Sequence, residues 1–138
     1  MKIIQIVGRS NVGKTTFIKK LIPVLKKTGT VAVIKHLADH EYLLEERKDT
    51  TIFFDAGADI SVGIDTAKAV AAIRTIDLDR ILSVLFHQKI NYTVIEGFKE
   101  HAFPRIVIGN LSVKGCVLTN PSPQDVIRSL DLFWEYPP

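Results

Sequence analysis

The chain has 138 residues, 46% hydrophobic and 24% charged, with 18 basic against 15 acidic side chains and a formal charge of +3. This composition excludes a disordered chain and suits a single domain over residues 1–138 that buries roughly 68% of its unfolded surface without metal or disulfide staples. The mild basic excess suits an anionic ligand without implying nucleic acid, the single Cys116 excludes an internal disulfide framework, and no apolar run reaches the ~18 residues of a membrane span.

Lys2–Val7 is β-branched and nearly continuous, the pattern of a strand buried on both faces, and Gly8–Gly13 follows as a loop. Lys14–Thr28 then carries Phe17, Ile18, Leu21, Ile22, Val24 and Leu25 at helical spacing. Lys26 and Lys27 fall in its last turn, Gly29 is placed to cap it, and Pro23 should kink it. Lys19, Lys20, Lys26 and Lys27 form its wet face. Val31–Ile34 reads as a second buried strand, completing a βαβ unit. Asp39–Lys48 is a charged loop, and Asp49–Ala58 a short helix ending at Gly57. Ser61–Ile64 and Ala69–Ile76 are strands paired across Asp65–Lys68, and Asp77 caps an amphipathic helix reaching Gln88. Tyr92–Ile95, Arg105–Ile108 and Gly115–Leu118 are further strands, with Cys116 read as a small buried hydrophobe. Ser122 opens the last helix with Pro123 at its first position. Strands alternating with helices predict an α/β fold, three layers with a largely parallel central sheet flanked by helices. Met1–Gly8 is too short for a signal peptide, so a soluble, cytoplasmic protein is expected.

The chemistry centres on Gly8-Arg9-Ser10-Asn11-Val12-Gly13-Lys14-Thr15, which fits G-x-x-x-x-G-K-[ST] at every position, between a buried strand and a long helix. Glycines at the two ends let the backbone turn and approach phosphate, while successive N–H groups and the helix N-terminus point at the anion. Lys14 is expected to reach the β- and γ-phosphates, and the Thr15 hydroxyl to ligate Mg²⁺. A second Mg²⁺-directed carboxylate belongs at the end of a neighbouring strand, where Glu96 stands. Gly97 would let its N–H approach the terminal phosphate. Lys35 and His36 close the second strand on the same expected edge, where a phosphate contact and a plain strand-end cation are both open readings. His36 and His40 are four apart, but no further metal ligands accompany them. Asp49 suits a helix cap as well as a nucleotide contact. Thr119-Asn120 follows a late strand, where a base-binding loop would lie.

Taken together, these segments resemble the MobB family, molybdopterin-guanine dinucleotide biosynthesis protein B. The resemblance runs through the P-loop with Thr15-Thr16, Leu21-Ile22-Pro23, Val33-Ile34-Lys35-His36, Lys48-Asp49-Thr50 with Ala56-Gly57-Ala58, and Val94-Ile95-Glu96-Gly97-Phe98-Lys99. It implies a homodimeric protein that binds GTP, hydrolyses it slowly and assists a MobA-like molybdopterin guanylyltransferase. It carries Gly8 to Thr16 over as phosphate-binding, Thr15 and Glu96 as Mg²⁺ contacts, and Lys35, His36 and Asp49 as positions near the nucleotide. Two departures stand out. The family's His- and Asp-rich stretch reads Leu37-Ala38-Asp39-His40-Glu41-Tyr42-Leu43-Leu44, and the chain is short at its C-terminus. An Era-like GTPase would share the P-loop, but its Asp-x-x-Gly and Asn-Lys-x-Asp motifs are not found in place. A P-loop small-molecule kinase is the other alternative, with Arg47 the only arginine of a potential lid.

Overall fold

A computed structural model describes residues 1–137. In chain order the elements are β1 (Lys2–Val7), α1 (Lys14–Leu25), β2 (Val31–Lys35), α2 (Asp49–Asp55), β3 (Ile60–Ile64), β4 (Ala69–Ile73), α3 (Leu78–His87), β5 (Tyr92–Glu96), β6 (Arg105–Val107), β7 (Cys116–Thr119) and α4 (Pro123–Arg128), followed by a 3₁₀ turn at Leu130–Leu132. The chain divides into two compact units: residues 39–80 form one, and the rest of the described chain the other.

The larger unit is a five-stranded sheet in the order β2-β5-β1-β6-β7, parallel throughout and flanked by helices. Parallel pairing with helical crossovers buries both faces of the inner strands, which is why β1 reads as a nearly unbroken apolar run. Ile4 and Ile6 on one face of β1 join Val94, Ile106 and Ile108 against Phe17, Ile18, Leu21 and Leu25 of α1 and Val126 of α4. Burying each such aliphatic side chain contributes about 1.5–3 kcal/mol. With β1 central, the loop that leaves it opens at the C-terminal edge of the sheet, the usual ligand position in open α/β folds.

Several local expectations change. α1 ends at Leu25, with Lys26 as its C-cap, so Lys26 and Lys27 lie beyond the last turn. Gly29 does not cap it through a left-handed residue; a Cβ there would lie 2.7 Å from the Asn91 side chain, so close packing accounts for the glycine. β2 is an edge strand rather than a buried one, and Val33 is 45% exposed. β7 is the opposite edge, which leaves Cys116 exposed instead of buried. β4 stops at Ile73, three residues short of the expected end.

The smaller unit is built from α2 and the antiparallel hairpin β3–β4, in register from Ile60↔Ile73 to Ile64↔Ala69. Gly57 ends α2 as expected: at φ +116° its N–H donates to Phe54 O, and the next N–H donates to Phe53 O, a Schellman closure. Asp65 makes the hairpin turn, its Oδ1 accepting from the N–H groups of Ala67 and Lys68 at 2.7 and 2.8 Å. Ser61 turns inward and its hydroxyl donates to Thr50 O at 2.7 Å. Ile60, Val62 and Ile64 alternate with it and are 58%, 48% and 81% exposed, so the other hairpin face is apolar and uncovered within this unit.

Candidate nucleotide site

The segment from Gly8 to Thr15 leaves the central strand and enters α1 at Lys14, the strand–loop–helix context the motif requires. Its two glycines serve different ends. Gly13 adopts φ +97° with open space around its α-carbon, so it supplies conformation. Gly8 is needed for proximity: a Cβ there would stand 2.5 Å from the Ile108 carbonyl oxygen and 2.9 Å from Val12 Cγ2. Asn11 is also left-handed at φ +60°, a conformation asparagine tolerates better than most residues. Arg9, Ser10, Asn11, Gly13, Thr15 and Thr16 are exposed along the loop and the start of α1. The Lys14 ammonium folds back over the loop and donates to Arg9 O at 2.6 Å and Gly8 O at 3.2 Å. Val12 wedges the loop against the next strand turn, where a Cβ on Gly109 would lie 3.1 Å from it.

Glu96 ends β5 and pairs with Ile6 in the β1–β5 register, so it leaves its strand beside the strand that feeds the loop. Its side chain is 12% exposed, and the Lys35 ammonium lies 3.7 Å from the carboxylate. Lys35 is its register partner on β2, and His36 continues that alignment by donating its N–H to Glu96 O at 2.9 Å. The His36 ring stacks on Phe98 at 4.3 Å between centroids, a contact sequence reasoning missed. Gly97 has φ +93°, and a Cβ there would lie 2.9 Å from His36 Cβ. Its N–H, expected to face a phosphate, donates instead to Ile6 O at 3.1 Å, because the β1–β5 ladder continues one residue further.

On the other side of the loop, Asn120 follows β7 at φ +45°, and its carboxamide is bonded on both sides to Gly109, accepting from its N–H at 2.7 Å and donating to its carbonyl at 3.1 Å. Thr119 Oγ1 lies 3.4 Å from Cys116 Sγ. The structure thus gathers Gly8 to Thr16, Glu96 and Gly97, Lys35 and His36, and Thr119 and Asn120 at the C-terminal ends of neighbouring parallel strands. Asp49 belongs to the smaller unit, at the first position of α2 after Lys48. His36 and His40 fall in different units, and among the described residues no group of three His, Cys, Asp or Glu side chains converges as a metal centre. The smaller unit has its own cavity of about 370 Å³, lined by Tyr42, Phe54 and Val70 among others and by none of the expected nucleotide residues. No helix among the described residues is long and apolar enough to cross a membrane.

Two oxygen donors flank the loop, at Thr15 and at Glu96. A hydroxyl at Thr15 and a carboxylate at Glu96 are oxygen ligands of the type Mg²⁺ takes, in a site where phosphate oxygens and water complete the shell. Those residues therefore fit the ion.

Comparison with known proteins bears on the family and the fold. The profile of the family described as molybdopterin guanine dinucleotide synthesis protein B matches residues 3–128. A Methanocaldococcus jannaschii protein named for an adapter role in molybdopterin-guanine dinucleotide biosynthesis is 37% identical over 100 residues, 72% of this chain and 42% of that protein. A Bacillus subtilis protein named for the same role is 33% identical over 111 residues, 77% of this chain and 64% of its own length. The chain thus aligns with less than two thirds of each of these two relatives. In structure it resembles Bacillus subtilis MobB with a TM-score of 0.72 at 23% identity, covering 97% of this chain and 99% of that one. A five-stranded parallel sheet with a glycine–lysine loop leaving its central strand and a profile match along nearly the whole chain place this protein in the MobB family.

Proposed function

We propose that this chain binds GTP with Mg²⁺ at the Gly8–Thr16 loop and acts as an adapter to the guanylyltransferase that attaches GMP to molybdopterin. The observation that carries the reading is that the loop leading from β1 to Lys14 and the Glu96 carboxylate leave the C-terminal ends of two adjacent parallel strands. Support for the pathway comes from the family and from the names of the two relatives.

On this reading the Lys14 ammonium exchanges its two loop carbonyls for phosphate oxygens, and loop N–H groups and the start of α1 supply the rest of the anion cradle. Thr15 and Glu96 hold the Mg²⁺, which neutralises phosphate charge. Lys35, 3.7 Å from Glu96, balances the carboxylate. Among the described residues no glutamine stands in the loop or at the Glu96 strand end to orient a water, so slow hydrolysis by the isolated chain is expected, on the order of 10⁻⁴ to 10⁻² per second. The Asn120 carboxamide meets a base only by giving up its bonds to Gly109.

The protein works as a homodimer, and the uncovered face Ile60-Val62-Ile64 is the surface that favours pairing. A two-stranded hairpin is marginal by itself and gains from burial of such a face.

The test is a titration of the purified protein with fluorescent GTP and ATP analogues, with and without Mg²⁺, then with molybdopterin guanylyltransferase added. Mg²⁺-dependent GTP binding and a changed guanylyl-transfer rate are expected. Turnover above about 1 per second by the chain alone, or γ-phosphate transfer to a small acceptor, would favour the kinase alternative instead.

A further inference from the structure

The face of the central sheet opposite the Ile4–Ile6 cluster holds two polar side chains where the pattern calls for apolar ones. Gln5 of β1 is fully buried, and Arg105 of β6 is 6% exposed. They are register partners, so their α-carbons sit side by side across the β1–β6 pair. Burying an amide without partners costs several kcal/mol, and burying a guanidinium far more, so the fold must use what these groups donate.

Both are spent on one segment. Gln5 Nε2 donates to Gly97 O at 2.8 Å and Phe98 O at 2.7 Å. Arg105 donates to Lys99 O at 3.0 Å, to Phe103 O at 3.3 Å and to His101 O. Five carbonyls between Gly97 and Phe103 are therefore drawn onto two neighbouring side chains. Among the described residues none of the Arg105 partners is a carboxylate; the charge is met by carbonyl dipoles alone. The segment starts one residue after Glu96 with two successive left-handed residues, Gly97 at φ +93° and Phe98 at φ +51°. A left-handed phenylalanine is disfavoured and persists only where its surroundings hold it. The Gln5 bond to its carbonyl and the His36 and His101 rings against its side chain hold it so, and the His101 N–H also donates to that carbonyl at 3.0 Å.

We propose that Gln5 and Arg105 are positioning residues: they keep the segment 97–103 in one preset conformation, and so keep the Glu96 carboxylate aligned for the metal ion before nucleotide arrives. The metal part rests on the GTP·Mg²⁺ reading above; the conformational part does not. A GTPase switch segment is ordered by γ-phosphate and Mg²⁺ contacts and released on hydrolysis, whereas the segment 97–103 is held without them. Here its carbonyls are committed to the sheet, so it is built as a fixed wall of the site.

The test uses Gln5→Met, which keeps the length of the side chain and removes its donors. In the nucleotide-free protein, hydrogen exchange at the Gly97 and His101 amides should quicken roughly ten-fold or more, while Val94 in the adjoining ladder keeps its protection. The gain in GTP-analogue affinity on adding Mg²⁺ should fall roughly ten-fold, with Mg²⁺-free affinity unchanged. Arg105→Lys retains a cation but not the three-pronged reach, and carries the same measurements if Gln5→Met does not fold. Unaltered exchange at Gly97 and His101 in either folded variant overturns the proposal. So does quickened exchange with an intact Mg²⁺ gain, which would reduce the pair to a structural role. If the parent protein binds no nucleotide, the GTP reading fails while the exchange comparison still decides whether the clamp exists.

Discussion

Replacing Gly8 by alanine tests how the Gly8–Thr15 loop is seated. The added Cβ would lie 2.5 Å from the Ile108 carbonyl oxygen, where real Cβ contacts do not fall below 3.0 Å, so loop or strand must move by 0.5 Å (3.0 − 2.5). The obstacle is backbone, and Ile108 is itself pinned because its N–H donates to Val7 O at 2.9 Å. Overpacking of this kind costs about 1–3 kcal/mol, and weakening the Ile108–Val7 bond adds up to about 1 kcal/mol. Gly13→Ala meets no atom within 4 Å and pays only for a left-handed alanine, about 1–2 kcal/mol. Urea unfolding should therefore rank Gly8→Ala as the more destabilised. Adding Val12→Ala to Gly8→Ala relieves the 2.9 Å contact and leaves the 2.5 Å one, so it restores little. A Gly8→Ala protein within about 0.5 kcal/mol of the parent, or one fully restored by Val12→Ala, would refute the packing argument.

Four further outcomes follow from the same geometry. Lys14→Ala should weaken GTP-analogue binding by roughly ten- to a hundred-fold in a calorimetric titration, since one charge-assisted contact is worth about 1.5–3 kcal/mol. Ser122→Ala breaks the reciprocal cap with Asp125 at the start of α4 and should cost about 1 kcal/mol, read from the urea midpoint. Asp125 is held below the usual aspartate range by the Ser122 hydroxyl first and its N–H second, and Asp65 by the Lys68 ammonium first and the amides of Ala67 and Lys68 next. A depressed carboxylate stabilises fully above its unfolded pKa and loses that contribution as pH falls through its folded value. Stability should therefore decline below the usual aspartate range, and Asp65→Asn should flatten the decline; an unchanged acid slope by urea unfolding would contradict this. Val62→Lys, on the uncovered hairpin face, should halve the particle mass seen by light scattering if that face joins two copies, with the hairpin's circular dichroism retained.

Local chemistry alone made much of this protein legible. The glycine–lysine loop, Gly57 as a helix stop, Ser122-Pro123 as a helix start and Asp65 as a turn are decisions taken within a few residues, and each stands where its residue type requires. Glu96 was legible for a similar reason, because the end of a buried β-branched run faces the ligand edge of a parallel sheet. The edges were not. Val31–Ile34 and Cys116–Leu118 look as apolar as the central strands, and only the order β2-β5-β1-β6-β7 places them at the rims, leaving Val33 and Cys116 open to solvent.

The role of Gln5 lay furthest from reach, although a polar residue inside Lys2–Val7 was its visible trace. Its meaning depends on a neighbour a hundred positions away, Arg105, and on carbonyls that no side-chain pattern records. Gly8 tells the same story in miniature. The motif shows that glycine is wanted there, whereas the carbonyl of Ile108, brought up by pairing between β1 and β6, shows why. Short-range propensity and periodicity thus wrote the elements and the glycine–lysine loop into the chain. Long-range strand pairing alone decided which side chains meet, because hydrogen-bond partners between distant strands leave no periodic mark in either.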